Sequence, residues 1–322
     1  MAKAIISTED GVHCNAWNYS GQRMAGGSLD GYIHIFNSHG PSAFTCISKW
    51  KAHNGSIVKV VWAPPEYGDV IAACSMDGTV SIWEEVDEDT ESCKWRLCNH
   101  FQEGAVPALD IQFGNCVSGL KLVVAYADGH AKIYESLDSL ELKRWRLQAE
   151  FQNVNSTVER FGKCSCLTAS IAWKPSAIVT QQPTFILGFN SNLPHLNTAK
   201  IWEFMEVHQR WHPIAEFVVP GENGEQVNAI SWAPNIGRPY ELIAIASNKG
   251  VSIWHIELDP NTNERPLLNR VATLSGHLGE IWQMDWDMGG MTLATSGNDG
   301  TVRLWQSNTN GMWQEVAVIE SS

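Results

Sequence analysis

Apolar residues along the chain alternate with polar ones, or close into runs of four to eight, and no stretch keeps a helical period for long. Each run is bounded by Gly, Pro, Asp or Asn, and the runs are rich in Val, Ile, Trp, Phe and Tyr, the residues that favour pleated, half-buried surfaces. One unit recurs. Its fullest copy opens on Gly276-His277, passes through apolar runs around Ile281–Trp286 and Met291–Ala294, turns at Asn298-Asp299-Gly300 and closes on Trp305. The residues that close the successive copies are Phe36, Trp83, Tyr134, Trp202, Trp254 and Trp305, at spacings of 47, 51, 68, 52 and 51 residues.

Each copy reads as four strands. In the second, Ser56–Trp62 is the inner strand, Val70–Cys74 the next, Thr79–Trp83 the third and Lys94–Phe101 the outer one. The matching inner strands are Val12–Trp17, Val106–Phe113, Cys166–Trp173, Val227–Trp232 and Gly279–Trp286. Turns with Asp-Gly or Asn-Lys-Gly precede most of the closing aromatics, because Asp, Asn and Gly tolerate the positive φ of short hairpins. The fourth copy departs: a longer loop at Ser191–Asn197 replaces the turn, and its 68-residue interval holds a polar loop from Gln152 to Lys163 rather than another unit. Such regularity excludes an α/β enzyme fold. The Gly-His…Trp pattern resembles a WD40 blade, with Gln306 where the final Asp would stand. The expected fold is therefore all-β, a single propeller domain over residues 1–322 with six four-stranded blades at about 11–50, 53–101, 106–151, 166–219, 227–274 and 277–319.

The count stops at six. Met312–Ile319 supplies an outer strand for the last blade, so the N-terminal strand Ala2, Lys3, Ala4, Ile5, Ile6 and Ser7 is left without a sheet. A strand without its sheet is a template for pairing with another chain. The expectation is an open ring, whose seventh blade is built around residues 2–7 by strands from a partner.

Four side chains per blade carry a polar network: His53, Ser75, Asp77 and Trp83 in the second blade, and His277, Ser296, Asp299 and Trp305 in the sixth. A carboxylate can accept from the His ring and from turn N–H groups, while a hydroxyl and the indole N–H fill the remaining partners. The reading is structural. A catalytic His–Asp pair would need a nucleophile or metal ligand beside it, and the sequence offers none, so no catalytic, cofactor or metal residues are assigned.

Composition narrows the function further. Of 322 residues, 44% are apolar and 18% charged, as in ordinary globular proteins, and no apolar run reaches the length of a membrane span. A formal net charge of −13 argues against phosphate-backbone binding, which needs clustered Lys and Arg. The acidic run Glu84–Glu91 lacks a calcium loop's ligand spacing and reads as a solvated loop. The first ten residues lack a secretory leader's apolar core, so the eight cysteines are expected as thiols; none forms a Cys-x-x-Cys pair.

Three segments carry a sharper likeness. His53–Gly68 with Ala73–Gly78 resembles the second blade of the small scaffold propellers of the SEC-thirteen group. Ser170–Ser176 and Ala233–Ala246, the latter containing Ala-Pro-Asn-Ile-Gly-Arg, are similar to the SEH nucleoporins within that group, and the likeness runs from Trp17 to Trp305. It implies a non-enzymatic scaffold without cofactor, an open six-bladed propeller completed by a blade from an α-helical scaffold nucleoporin. The implied setting is the Y-shaped outer-ring subcomplex at the nuclear envelope, with other Y-complex nucleoporins as neighbours and a role in protein and mRNA transport. It also implies a place in the SEA (GATOR-type) nutrient-signalling complex at the vacuolar or lysosomal membrane. Direct nucleic-acid binding and membrane insertion are not expected. The alternative is a substrate-recognition propeller reading a peptide on its top face. Such adaptors usually carry Trp-Asp-x-Arg, whereas Trp286-Asp287 is followed by Met288-Gly289.

Overall fold

A computed structural model of the chain describes residues 11–40, 44–86, 94–102, 104, 106–116, 119–138, 141–152, 166–175, 182–192, 197–217, 226–257, 266–308 and 310–320. The segment Ala2–Ser7 lies outside the described residues, as do 87–93, 153–165 and the fourth blade's loop at 193–196.

The described strands fall into six four-stranded antiparallel sheets, each taking four consecutive strands in chain order. The first holds β1 (Val12–Trp17), β2 (Arg23–Ser28), β3 (Tyr32–Ser38) and β4 (Phe44–Lys51). The second holds β5 (Ile57–Trp62), β6 (Val70–Ser75), β7 (Thr79–Val86) and β8 (Lys94–Gln102), and the third β9 (Ala108–Cys116), β10 (Gly119–Tyr126), β11 (His130–Ser136) and β12 (Trp145–Gln152). The fourth holds β13 (Cys166–Trp173), β14 (Thr184–Ser191), β15 (Ala199–Met205) and β16 (Arg210–Glu216). The fifth holds β17 (Ala229–Trp232), β18 (Glu241–Ser247), β19 (Gly250–Glu257) and β20 (Leu267–Leu274), and the sixth β21 (Ile281–Trp286), β22 (Thr292–Gly297), β23 (Thr301–Ser307) and β24 (Trp313–Glu320). This is the six-bladed all-β propeller class expected. The C-terminal strand β24 pairs with β23, so the outer position of the sixth sheet is filled from its own end of the chain.

The chain divides into two compact units, Met1–Glu150 and Phe151–Ser322. In the first unit, side-chain alternation sends the second sheet's residues in opposite directions. Ile71 and Ala73 pack with Ile33, Ile35 and Ala25 of the first sheet, while Val70, Ala72 and Cys74 pack with Ile111, Leu120, Leu122 and Val124 of the third. Every residue of β6 is buried as a result. That is why β6 reads as an unbroken apolar run rather than an alternating one. The second unit repeats the plan around its fifth sheet. Ile243 and Ile245 meet Ile186 and Ile201 of the fourth sheet, while Leu242, Ala244 and Ala246 meet Ile281, Met284 and Leu293 of the sixth. Indole N–H groups add a repeated tie: Trp62 donates to the Ala16 carbonyl at 3.0 Å and Trp286 to the Ser231 carbonyl at 3.2 Å, each reaching the preceding inner strand.

The hairpin turn of the second sheet requires glycine. Gly78 has φ +81°, and a Cβ there would lie 2.7 Å from the Val106 carbonyl oxygen. One expectation is corrected here. Glu84 and Glu85 belong to strand β7, not to a solvated loop, because cations on neighbouring strands draw them in: Arg96 meets Glu84 at 2.7 Å and Arg23 Nη2 donates to Glu85 Oε1 at 2.8 Å.

Because Ile71 is fully buried between two sheets, Ile71→Ala is expected to cost about 2–5 kcal/mol by urea denaturation. The exposed Val318→Ala is expected to change stability by less than about 0.5 kcal/mol in the same assay.

Candidate functional site

The blade networks come first, because they fix the turns on which any surface is presented. In the second sheet His53 is buried with both ring nitrogens engaged, Nδ1 2.6 Å from Thr79 Oγ1 and Nε2 2.7 Å from Ser81 Oγ. The Thr79 hydroxyl donates to Asp77 Oδ1 at 2.5 Å, so it must accept from His53 Nδ1–H. Nε2 therefore accepts from the Ser81 hydroxyl, whose oxygen takes the Trp83 indole N–H at 2.8 Å. One continuous direction of donation runs from Trp83 through Ser81, His53 and Thr79 to Asp77. Asp77 Oδ2 also accepts the N–H groups of Asn54 and Gly55, each at 3.0 Å.

This arrangement holds His53 neutral. Burial, only partly opposed by the Asp77 carboxylate, lowers its pKa from 6.5 to about 4. Burial alone would raise Asp77, but the Thr79 hydroxyl and the N–H groups of Gly55 and Thr79 outweigh it and bring its pKa to about 2.

In the sixth sheet His277 Nδ1 donates to the Asp299 carboxylate at 3.0 Å, and Nε2 lies 2.8 Å from Thr295 Oγ1, which accepts the Trp305 indole N–H at 2.9 Å. Asp299 accepts further from Leu278 N, Thr301 N and the Thr301 hydroxyl, which together hold its pKa well below the carboxylate range despite partial burial.

The structure thus joins His53, Asp77 and Trp83, and likewise His277, Asp299 and Trp305, but not through the serines expected. Ser75 Oγ only accepts from Asp77 N at 3.2 Å within the turn, and Ser296 is the neighbour of the hydroxyl that serves, Thr295. Strand alternation is the reason: a one-residue step sends the side chain to the other face. Strand register shows where the hydroxyl sits. Thr295 pairs with Arg303 and Ala73 pairs with Ser81, so the second sheet has moved its hydroxyl to the directly opposite residue of the next strand. The fifth sheet does the same, with Ser252 opposite Ile245 and the Trp254 indole donating to Ser252 at 2.9 Å. Sequence reasoning missed Thr79, Ser81, Thr295 and Thr301, although the repeated Asp-Gly-Thr at Asp77–Thr79 and Asp299–Thr301 was a visible signal.

Other large side chains are taken up in packing. Trp50 and Trp95 of the outer strands stack with centroids 5.2 Å apart, and Trp211 is buried. Arg238 turns back onto the chain: Nη1 donates to the Gly290 carbonyl at 2.5 Å and Nη2 to the Pro234 carbonyl at 2.6 Å, tying two loops together.

In each unit one inner strand exposes a tryptophan, and β13 also exposes Leu167 and Thr168. Inner strands β5 and β17 and residues 108–113 of β9 contain no exposed residue. By contrast β1 exposes His13, Asn15 and Trp17, alternating with residues packed on the second sheet. Strand β21 exposes Trp282, Gln283 and Asp285 while Ile281 and Met284 pack on the fifth sheet. Trp17 is 46% exposed and Trp282 64%. Large aromatics uncovered on a strand whose other face is packed are the usual mark of a binding surface.

Comparison with known proteins fits these features. The WD domain, G-beta repeat model matches residues 3–37, 44–84 and 268–306. Two of those matches begin on or beside an outer strand, β4 or β20, and run on through the next sheet's first three strands. Fold and repeats together define a WD40-repeat propeller. The chain is 50% identical to Protein SEH1 of Arabidopsis thaliana over 99% of both chains. It is 31% identical to Nucleoporin SEH1-A of Xenopus laevis, over 99% of this chain and 88% of the relative, and 30% identical to Nucleoporin SEH1 of Homo sapiens, over 100% and 89%. The chain belongs to the SEH1 family of nucleoporins.

Two outcomes test the networks. Asp299→Ala leaves the Leu278 and Thr301 N–H groups and His277 without their acceptor and is expected to cost about 1–3 kcal/mol by denaturant titration. His53 carries a pH signature: the unfolded chain takes up a proton near pH 6.5 that the folded chain resists to about pH 4. The stabilisation is complete above pH 6.5 and is lost as pH falls through 4. Unfolding free energy measured between those limits is expected to fall on acidification, and less steeply in His53→Gln.

Proposed function

We propose that this chain is a non-enzymatic scaffold of the nuclear pore, held at the nuclear envelope in the Y-shaped outer-ring subcomplex and supporting nucleocytoplasmic transport of protein and mRNA. Its partner is an α-helical nucleoporin that adds strands beside Ala2–Ser7 to make a seventh blade, within one array spanning residues 1–322. The observation that carries the reading is an uncovered inner-strand face in each unit, that of β1 with Trp17 and that of β21 with Trp282 as apolar anchor. Two further points support it. Strand β24 already occupies the sixth sheet's outer position, and the repeat match at residues 3–37 begins within the segment Ala2–Ser7. The names of the relatives supply the nuclear pore setting. The same surface would serve a second assembly of the SEA or GATOR type at the vacuolar or lysosomal membrane. A carboxylate placed on that face opposes docking through the cost of burying a charge.

Affinity purification of the full chain from nuclear extract is expected to recover an α-helical nucleoporin, and deletion of residues 2–7 or Trp282→Asp to reduce that recovery at least about tenfold. Thermal melting of both variants is expected to stay near that of the parent chain. Undiminished recovery from the folded deletion variant would overturn blade completion, and capture of a ubiquitin-ligase adaptor instead of a nucleoporin would favour the peptide-reading alternative.

A further inference from the structure

Two lysines are buried among the described residues, Lys121 and Lys200. Lys121 is satisfied: its ammonium lies 2.8 Å from Glu135 Oε1 and 3.2 Å from Gln148 Oε1. Lys200 is only 5% exposed, and its ammonium closes no ion pair among the described residues. An ammonium taken out of water without a closed partner is costly, so its neighbourhood repays inspection.

A repeat within the chain sharpens the contrast. Ala131-Lys132-Ile133-Tyr134 followed by Ala149-Glu150-Phe151 in the third blade returns in the fourth as Ala199-Lys200-Ile201-Trp202 followed by Ala215-Glu216-Phe217. In the third blade Lys132 Nζ reaches Glu150 at 3.6 Å. In the fourth, Lys200 and Glu216 are register partners on β15 and β16, yet the ion pair is not closed. Lys200 instead lines a cavity of about 430 Å³, with Pro213, Ile214, Ala215 and Glu216 of β16 and Pro266 and Leu268 at β20. Burial lowers its pKa below the ordinary lysine value, and the Glu216 carboxylate offsets only part of that.

The cavity lies within the size range of ligand sites and is lined by five apolar residues with one buried cation, Lys200, and one carboxylate, Glu216. Its complement is a carboxylate flanked by apolar groups. The walls are built by β16 and β20, the outer strands of their sheets, whose free edges suit an extended chain. Pro213 removes one donor from the β16 edge, which leaves recognition to side chains there. With a formal net charge of −13 the molecule does not attract small free acids over distance, so a carboxylate needs apolar flanks to be retained.

We propose that this cavity docks an acidic side chain carried on an extended segment of a partner protein, the carboxylate closing on Lys200 while flanking apolar residues lie on Ile214 and Leu268. The site is separate from the uncovered inner strands and does not depend on blade completion.

The test pans a phage-displayed library of random heptapeptides against the full chain and against Lys200→Met, with thermal melting to confirm that both fold. The expected result is a consensus on the parent chain with one Asp or Glu between apolar residues. The best synthetic peptide is expected to bind Lys200→Met about tenfold or more weakly, as loss of a charge-assisted pair implies. Its binding to Glu216→Gln is expected to be tighter, since a competing carboxylate is gone. Leu268→Asp, which sets a carboxylate beside Lys200, is expected to block binding and gives an independent reading should Lys200→Met not fold. No consensus, a consensus without an acidic position, or equal binding by folded Lys200→Met would overturn the proposal. Displacement of the peptide by acetate at equal concentration would also overturn it, in favour of a small-acid site.

Discussion

A β-sheet with two apolar faces has to be covered on both, and that requirement governs each half of this molecule. In the first unit the second sheet is the covered one, and in the second unit the fifth. Strand β6 shows the consequence most sharply. Adjacent residues Val70 and Ile71 are both fully buried, but against different sheets, so neither the first nor the third sheet can be removed without exposing half of the second. Each buried aliphatic side chain contributes about 1.5–3 kcal/mol relative to exposure, so covering a second face outweighs any single polar network. The indole ties Trp62–Ala16 and Trp286–Ser231 then fix the register of neighbouring inner strands, which apolar contact alone leaves free to slide.

The polar networks do a different job: they set the turns. A hairpin end beside the next blade leaves N–H groups without a strand partner, and Asp77 and Asp299 are placed to take them. The histidines close the loop between turn and strand, and the chain of donation from Trp83 to Asp77 leaves no donor over. Protonating His53 would give it a second N–H where the Ser81 hydroxyl already donates. The depressed pKa and the hydrogen-bond order are therefore two expressions of one arrangement. That the hydroxyl can sit at Thr295 in one blade and across the ladder at Ser81 or Ser252 in others shows that the network is defined by a point in space, not by a position in the repeat.

That distinction explains what was legible in the sequence. Strand order, blade count and the inner strands could be read because they rest on alternation and turn residues, both local: Val12–Trp17 and Cys166–Trp173 coincide with β1 and β13 to the residue. His53, Asp77, Trp83, His277, Asp299 and Trp305 could be read because a repeated motif marks them. Ser75 and Ser296 misled because two serines preceding a turn look equivalent in one dimension. Register makes Ser75 the counterpart of Gly297 and leaves Ser296 on the wrong face. The Arg238 ties were not legible: nothing local announces the carbonyls of Gly290 and Pro234 that draw the guanidinium in. Lys200 was equally silent, since no local motif marks its burial.

The same covering rule bears on why this chain should act through partners at all. Strands β5 and β17 spend both faces on neighbours from their own unit, whereas β1 and β21 spend one. An uncovered strand face bearing a tryptophan is tolerable on a soluble protein only while the patch stays small. The sequence contains the blunting devices expected of such a face: His13 and Asn15 beside Trp17, Gln283 and Asp285 beside Trp282. Polar residues beside each tryptophan keep its apolar patch small, which opposes self-association of the free strand face.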